Sequence, residues 1–334
     1  MKHVVALSSI LALGLAPALT AQAHGKAIVI KPTAGARTAY RNTVTAKQVM
    51  AAFGQESTSE IVSEFTAQVD EVADDGAVKA SFTWTHVRGK LGSPMGGEME
   101  FDTAKDTEED GTGELGSAIE ACHALVGKTV TLTYGPDGKV KDRKPLVDLV
   151  DAALERAEGM GRMAIQQFIS AENLEMQVSV FGTFPTEPVA VGGDWTETRE
   201  ATRGGMHMRT DTTNKLDTAD ADSYVVSTQG KISIAPDKKA KEEEGDDDPQ
   251  VTMMKSMMRE ATIEASKLVG SYTVSRKDGL VSRAESDVDL TIQMPNPMGG
   301  DQPFVVKVHQ KTRQERVAEA AAGKADKKAD AKKK

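Results

Sequence analysis

The stretch AVKASFTWTHV at residues 77–87 sets Val78, Ala80, Phe82 and Trp84 in alternation with polar neighbours. A period of two sends successive side chains to opposite faces of an extended chain, so this segment reads as a strand with one dry and one wet face. The same spelling recurs in TVTLTY (Val130, Leu132, Tyr134), SDVDLTIQM (Val288, Leu290, Ile292, Met294) and FVVKV (Phe304, Val306, Val308). Alternation of this kind marks antiparallel sheet. Asp-Gly pairs at 75–76, 137–138 and 278–279 supply tight turns between such strands.

Helical spacing interrupts the strands. Over residues 114–126, Leu115, Ala118, Ile119, Cys122 and Val126 share one face. A second helix opens at Pro145, whose fixed φ suits a first turn, and carries Leu146, Leu149, Val150, Ala153, Leu154 and Ala157 as one stripe. A further helical stretch is expected to about Val180, and a third helix over 251–270 from the spacing of Val251, Met254, Met258, Ala261, Ala265 and Leu268. Helices with a single apolar stripe need a surface to lie on, and the dry side of a sheet provides one. The expectation is an α+β, mainly β fold: a curved antiparallel sheet or half-barrel, amphipathic helices covering one face, and two related halves.

The halves are suggested by Pro-Met-Gly-Gly, which occurs at 94–97 and again at 297–300. A shift of 203 residues aligns Asp75-Gly76 with Asp278-Gly279, Val78 with Val281, and Phe101 with Phe304. The alternation phases of the two long strands do not match under this shift, so a bulge or drifted register must intervene. A second echo, ALVGKTVTLTYGPDGKV against KLVGSYTVSRKDGLV, crosses the same elements differently. Both point to reuse of one meander grammar, and leave open whether the halves form one sheet or two lobes.

Residues 1–23 have Lys2, an apolar run from Val4 to about Leu19 and a small-x-small close at Ala21-Gln22-Ala23, the pattern of a cleaved secretory signal. The run is too short to span a bilayer, and no later stretch approaches the roughly 18 apolar residues a membrane helix needs. The expected organisation is a signal peptide at 1–23, one β-meander half with helices at 24–182, a second at 183–317, and a disordered Lys/Ala tail at 318–334. The second half contains a solvated acidic loop at 237–250. The expected location is periplasmic or extracellular, in soluble form. A single cysteine excludes an internal disulfide, and its place on an apolar stripe makes Cys122 a buried core thiol.

A formal charge of −9 becomes −10 when the signal and its Lys2 are removed, which argues against nucleic acid as a partner. Aromatic residues make up 4%, too few for a stacking platform. There is no Gly-x-Ser-x-Gly elbow, His-Glu-x-x-His, phosphate-binding glycine loop or Cys-x-x-Cys, so no enzymatic activity and no cofactor is expected.

A signal peptide, long antiparallel strands and covering helices together resemble the periplasmic lipoprotein-carrier superfamily. FPTEPVAVGGDWTETRE at 184–200 is similar to a segment of exported bacterial β-rich proteins, in which a Pro-rich run leads through Val-Gly-Asp-x-Trp into a strand. Here the spelling is Val191, Gly192, Gly193, Asp194, Trp195, and Trp195 is expected to anchor the core. Membership would imply an apolar cavity for an acyl chain, a lipid or a partner's hydrophobic segment.

The candidate lining of such a groove is Met253, Met254, Met257 and Met258 with Leu146, Leu149, Val150 and Leu154, since flexible thioethers adapt to greasy partners. A second reading uses thioethers as copper ligands. It combines an N-terminal His24 with Met206, His207 and Met208, and with His86, His123 or His309 as further donors. A third reading is a structural module of the cell envelope that engages through the charged loop and tail.

Overall fold

The computed structural model describes residues 32–50, 54–92, 98–105, 114–155, 169–185, 187–203, 206–235, 259–296 and 302–318. The first half contributes β1 (Arg37–Met50), β2 (Gln55–Val72), β3 (Val78–Gly92), β4 (Glu98–Asp102), α1 (Glu114–Leu125), β5 (Thr129–Tyr134), α2 (Lys144–Leu154) and α3 (Ala171–Gln177). The second contributes β6 (Asp194–Arg203), β7 (Met206–Ala219), β8 (Ser223–Ile234), β9 (Thr262–Ser275), β10 (Val281–Met294) and β11 (Phe304–Val317).

All eleven strands join one curved, open antiparallel sheet in the order β4-β3-β2-β1-β11-β10-β9-β8-β7-β6, with β5 also paired to β3. The two meanders are therefore one surface. Its middle seam is the pairing of β1 with β11, from Ala39 opposite Val317 to Met50 opposite Val306.

Register assigns every strand residue a side, because directly opposed residues in an antiparallel pair face the same way. Tyr40, Phe65, Trp84, Phe82 and Tyr134 share one face, and their rings form a chain 5.4–6.3 Å apart from centroid to centroid. Tyr134 continues it to Phe181, 4.6 Å away on the segment after α3. The three helices lie on this same face, with Ile119, Cys122, Leu146, Val150, Leu154 and Leu174 packed among the aromatics. It is also the inner face of the curve: Lys139, in the turn beyond β5, reaches Glu197 on β6 at the opposite sheet edge, 3.7 Å away. The result is a trough.

The residues 177–184 bridge the trough from inside. Gln177 accepts from Ser63 and Trp84 through its side chain and from Gln314 through its carbonyl. Val180 accepts from the Val281 amide, and Thr183 accepts from the Tyr272 hydroxyl. Beyond it Trp195, at the start of β6, stacks on Phe184 at 5.9 Å and joins Tyr224 and Tyr272 in a second core cluster. Together with the helices this span fills one end of the trough.

The turns at that closed end repeat. Asp75 Oδ1 accepts from the Ala77 amide and Asp278 Oδ1 from the Leu280 amide, with Gly76 and Gly279 at φ of 82° and 72°. A positive φ is open to glycine without strain, so one Asp-Gly device serves both halves. The Pro-Met-Gly-Gly residues lie outside the described residues; the strands flanking them pair as β3–β4 and β10–β11 at the other end. The phase mismatch between β3 and β10 also has its cause. β3 shifts register at Thr85, so its buried positions pass from Val78, Ala80, Phe82 and Trp84 to Val87 and Leu91. A bulge moves every later side chain to the other parity.

One expected element is corrected. Residues 262–268 are the start of β9 and not the end of a helix; only Arg259 is helical in the described part of that stretch. Ala261, Ala265 and Leu268 imitate a helical stripe, but Thr262, Ile263 and Val269 are β-branched, and β10 pairs with the segment from Thr262 to Leu268, where β8 joins on the other side.

Candidate functional site

From β7 to β2 the inner face carries almost no charge, while the edge strand β6 adds Glu197 and Arg199, which are bonded to each other at 2.8 Å. Along β7, β8, β9, β10, β11, β1 and β2 the register places Met, Ile, Leu, Val, Phe, Tyr, Ala, Gly, Ser, Thr, Asn and Gln on it. Outside the bulges, Arg316 is the only Lys, Arg, His, Asp or Glu that these strands direct inward. Arg316 is neutralised at the closed end. It holds Asp278 with two bonds of 2.7 and 2.8 Å and donates to the Leu280 and Val281 carbonyls, and Tyr40 also donates to the Val281 carbonyl. The charges of the same strands face outward: Lys307, His309, Lys311 and Arg313 on β11, and Asp287 and Asp289 opposite them on β10.

At the end away from the helices the inner face is an apolar wall. Met206, Met208, Ile232, Ala261 and Ile292 are buried there, and Ile234, Ile263, Leu268, Val288, Leu290, Met294 and Val308 are half-buried around them. Among the described residues no helix packs on this cluster. Between the wall and the helical core runs a belt of small polar groups, with Asn214, Thr228, Gly270, Ser286 and Thr312 side by side on successive strands. Gly270 belongs there because a Cβ would stand 2.7 Å from the Glu285 carbonyl of the adjacent strand. At the rim of the same end, Thr262, Gln293, Asn296 and Gln302 border a cleft of about 340 Å³ with Glu260, and Met294 belongs to both cleft and wall.

The residues nominated from sequence fall in different places. Leu146, Val150 and Leu154 are 0%, 7% and 3% exposed and Leu149 packs against them, so α2 contributes to the closed core of the N-terminal half. Met253, Met254, Met257 and Met258 lie outside the described residues, as do His24, the acidic loop 237–250 and the residues from 319 onward. Met206 and Met208 point into the apolar wall, while His207 faces outward, 3.7 Å from Glu200. His86 is bonded to Asp102 at 2.7 Å on the outer face, in a line that runs Arg41–Glu64–His86–Asp102–Lys105. Burial opposes ionisation of Asp102, but hydrogen bonds from Lys105, His86 and the Ala104 amide outweigh it and hold its carboxyl well below the usual range. Cys122 is buried, and desolvation pushes its thiol up to about 12.

Among the described residues one group of metal-capable side chains converges, Asp287, Asp289 and His309, on the outer face. His309 Nδ1 stands 2.7 Å from Asp289 and 3.4 Å from Asp287, and Lys311 lies 3.6 Å from Asp287. These contacts account for the trio as cross-strand ion pairs on a solvated surface. Sequence reasoning missed both the apolar wall and the charge-poor run of inner face from β7 to β2. The signal was present as alternation in each strand, but only the register shows that all the dry faces are one surface.

In class, then, this is a mainly β protein built as an open sheet trough with a helical filling at one end. Residues 75–281, more than half of the chain, match the family of unknown function DUF6263, and the chain belongs to that family. No curated protein matches it. Among solved structures it is similar to one described as lipid-protein interactions in lipovitellin, at 10% identity and a TM-score of 0.39, over 86% of this chain and 26% of that one. The chain thus spans about a quarter of that protein's length. DynF from the dynemicin biosynthesis pathway of Micromonospora chersina matches at 8% identity and a TM-score of 0.21, over 90% and 89% of the two chains. A mutant porin of Rh. blastica matches at 8% identity and 0.20, over 84% and 100%. At these scores the likenesses carry no argument about ligand or activity.

Proposed function

We propose that this is an exported, non-enzymatic binding protein that holds an elongated apolar molecule, an acyl chain, against the inner wall of its trough. The observation that carries the reading is the wall itself. Seven half-buried aliphatic and thioether side chains surround five buried ones on a face without a described helical cover. A half-buried aliphatic side chain retains apolar area whose removal from water is worth about 25 cal/mol per Å². Branched aliphatics and methionines accommodate a flexible chain without demanding a particular shape. The helix–sheet groove beside α2, where Leu146 and Val150 were expected to serve, is already filled by the protein's own core. The binding surface is accordingly the opposite end of the same face.

The test is binding of the environment-sensitive probe N-phenyl-1-naphthylamine to the purified chain, alongside native mass spectrometry of protein taken from an exporting host. Expected are a lipid-sized adduct and saturable probe binding that Leu290→Lys or Val308→Lys abolishes with thermal unfolding nearly unchanged. Neither side chain is fully buried, so each substitution tests the surface more than the fold. A bare mass together with no probe binding would refute the reading.

A further inference from the structure

We infer that the apolar molecule held on the wall is a long-chain fatty acid, and that Arg199 and Thr210, at the β6 edge of the trough, take its carboxylate. This rests on the binding reading above and adds the head group and its site.

The wall ends beside a charge. Its apolar side chains pass from Met208 on β7 through Ile234 on β8, Leu268 on β9 and Leu290 on β10 to Val308 on β11. Five neighbouring strands are four spacings of about 4.8 Å, so the band is roughly 19 Å long, near the reach of an extended long acyl chain. Past Val308 the inner face continues with Gln48 of β1, which is uncharged. Past Met208 it continues onto β6, the edge strand, whose register sets Arg199 opposite Thr210 and diagonal to Met208. A chain lying along the band therefore brings its head group to Arg199.

The guanidinium there is held in place and still has donors to give. Arg199 Nε donates to Glu197 at 2.8 Å. Glu197, whose side chain is 9% exposed, also accepts from the Thr183 hydroxyl at 3.0 Å and stands 3.7 Å from Lys139. One carboxylate thus answers two cations, and the group keeps one net positive charge. Among the described residues neither terminal nitrogen of Arg199 makes a hydrogen bond, and neither does the Thr210 hydroxyl opposite it. With Nε committed, Nη1 and Nη2 form the fork that grips a second carboxylate through two parallel bonds. The Arg199 side chain is 46% exposed, so a head group bound there stays at the sheet edge and keeps part of its hydration. A monoanion balances the single net charge, which favours a carboxylate over a phosphate monoester carrying nearly two.

The experiment is displacement of bound N-phenyl-1-naphthylamine from the full chain by three probes of equal chain length: oleate, mono-oleoylglycerol and oleoyl lysophosphatidate, each below its aggregation threshold. Oleate is expected to compete at least about tenfold better than mono-oleoylglycerol, and better than the lysophosphatidate. Arg199→Gln is expected to weaken oleate about tenfold and leave mono-oleoylglycerol and thermal unfolding unchanged, with Arg199→Lys between because it keeps the charge without the fork. Thr210→Val is expected to weaken oleate about threefold. Oleate competing no better than mono-oleoylglycerol in the natural chain would overturn the head-group site and leave the binding reading standing. Lysophosphatidate outcompeting oleate would overturn the choice of a carboxylate. An equal loss of oleate and mono-oleoylglycerol in Arg199→Gln would mean that Arg199 acts by shaping the β6 edge, and would overturn its role as the clamp. Failure of all three to compete, with no naphthylamine bound, would overturn both readings.

Discussion

Removing the Arg316 guanidinium should loosen the trough where its two meanders meet. Arg316 sits on β11, one strand from Tyr40 of β1, and reaches across to the β9–β10 turn. In Arg316→Met four donor contacts vanish: two to Asp278, one to the Leu280 carbonyl and one to the Val281 carbonyl. A hydrogen bond to a charged group is worth about 1.5–3 kcal/mol, but the four share one side chain and are not additive. The side chains of Arg316 and Asp278 also keep 25% and 20% of their exposure, so solvent screens part of the pair. The expected loss is about 3 kcal/mol at pH 7, with Arg316→Lys losing somewhat less because its ammonium keeps the charge, though it cannot reproduce the fork.

The pH dependence fixes the sign of the pair's contribution. Desolvation raises the Asp278 pKa, but hydrogen bonding from Arg316 and the Leu280 amide and the Arg316 charge outweigh it, so the folded value lies below the ordinary one. A depressed carboxyl stabilises the fold above its unfolded pKa of about 3.9, and that stability is lost as pH falls through the folded value. The gap between natural chain and Arg316→Met should therefore narrow below about pH 4. Urea unfolding followed by fluorescence of Trp84 and Trp195, repeated from pH 7 to pH 3.5, measures both quantities. A gap under about 0.5 kcal/mol at pH 7, or one that widens on acidification, would refute the reasoning.

Three further outcomes follow from the same geometry. Gly270→Ala would press a methyl group to within 2.7 Å of the Glu285 carbonyl, and calorimetry should find it destabilised by about 1–3 kcal/mol. Cys122, with its thiol pushed up to about 12 by burial, should resist a thiol-reactive dye at pH 8 until denaturant is added; prompt reaction in the folded state would contradict its placement. Asp102→Asn should cost about 1 kcal/mol at neutral pH, chiefly through lost bonds to Lys105 and His86. The cost should fade as pH drops towards 2, since the Asp102 carboxyl is held low in the folded state and its contribution disappears once it is protonated.

Much of the fold was legible because each strand of an antiparallel sheet carries its own instructions. Phe82 and Trp84 declared a dry face without reference to any other part of the chain, and Asp75-Gly76 and Asp278-Gly279 declared turns. α2 was equally plain from Leu146, Val150 and Leu154. What misled was a short segment that fits two periods. Ala261, Ala265 and Leu268 satisfy helical spacing, and only pairing with β8 and β10 decides for the strand. The candidate site was harder still. A stripe such as that of α2 looks the same whether it lines a cavity or closes one, and Leu146 turned out to have no exposure at all. The charge-poor run of inner face from β7 to β2 needs the register of seven strands at once, which no single segment encodes.

The seam between β1 and β11 also decides when this protein can fold. Its partners stand at opposite ends of the chain, from Ala39 with Val317 to Met50 with Val306, so every contact across it closes a loop of more than 250 residues. Such distant pairings slow folding, because the entropy of closure is lost before any contact rewards it. Until the final strand has been made, both meanders are left with a long bare edge at β1 and β10, the kind of edge that recruits other chains. A chain that cannot finish its sheet from one end passes through a long open state before it closes. It also depends on arriving whole, since loss of the last strand would leave its two halves without a common middle.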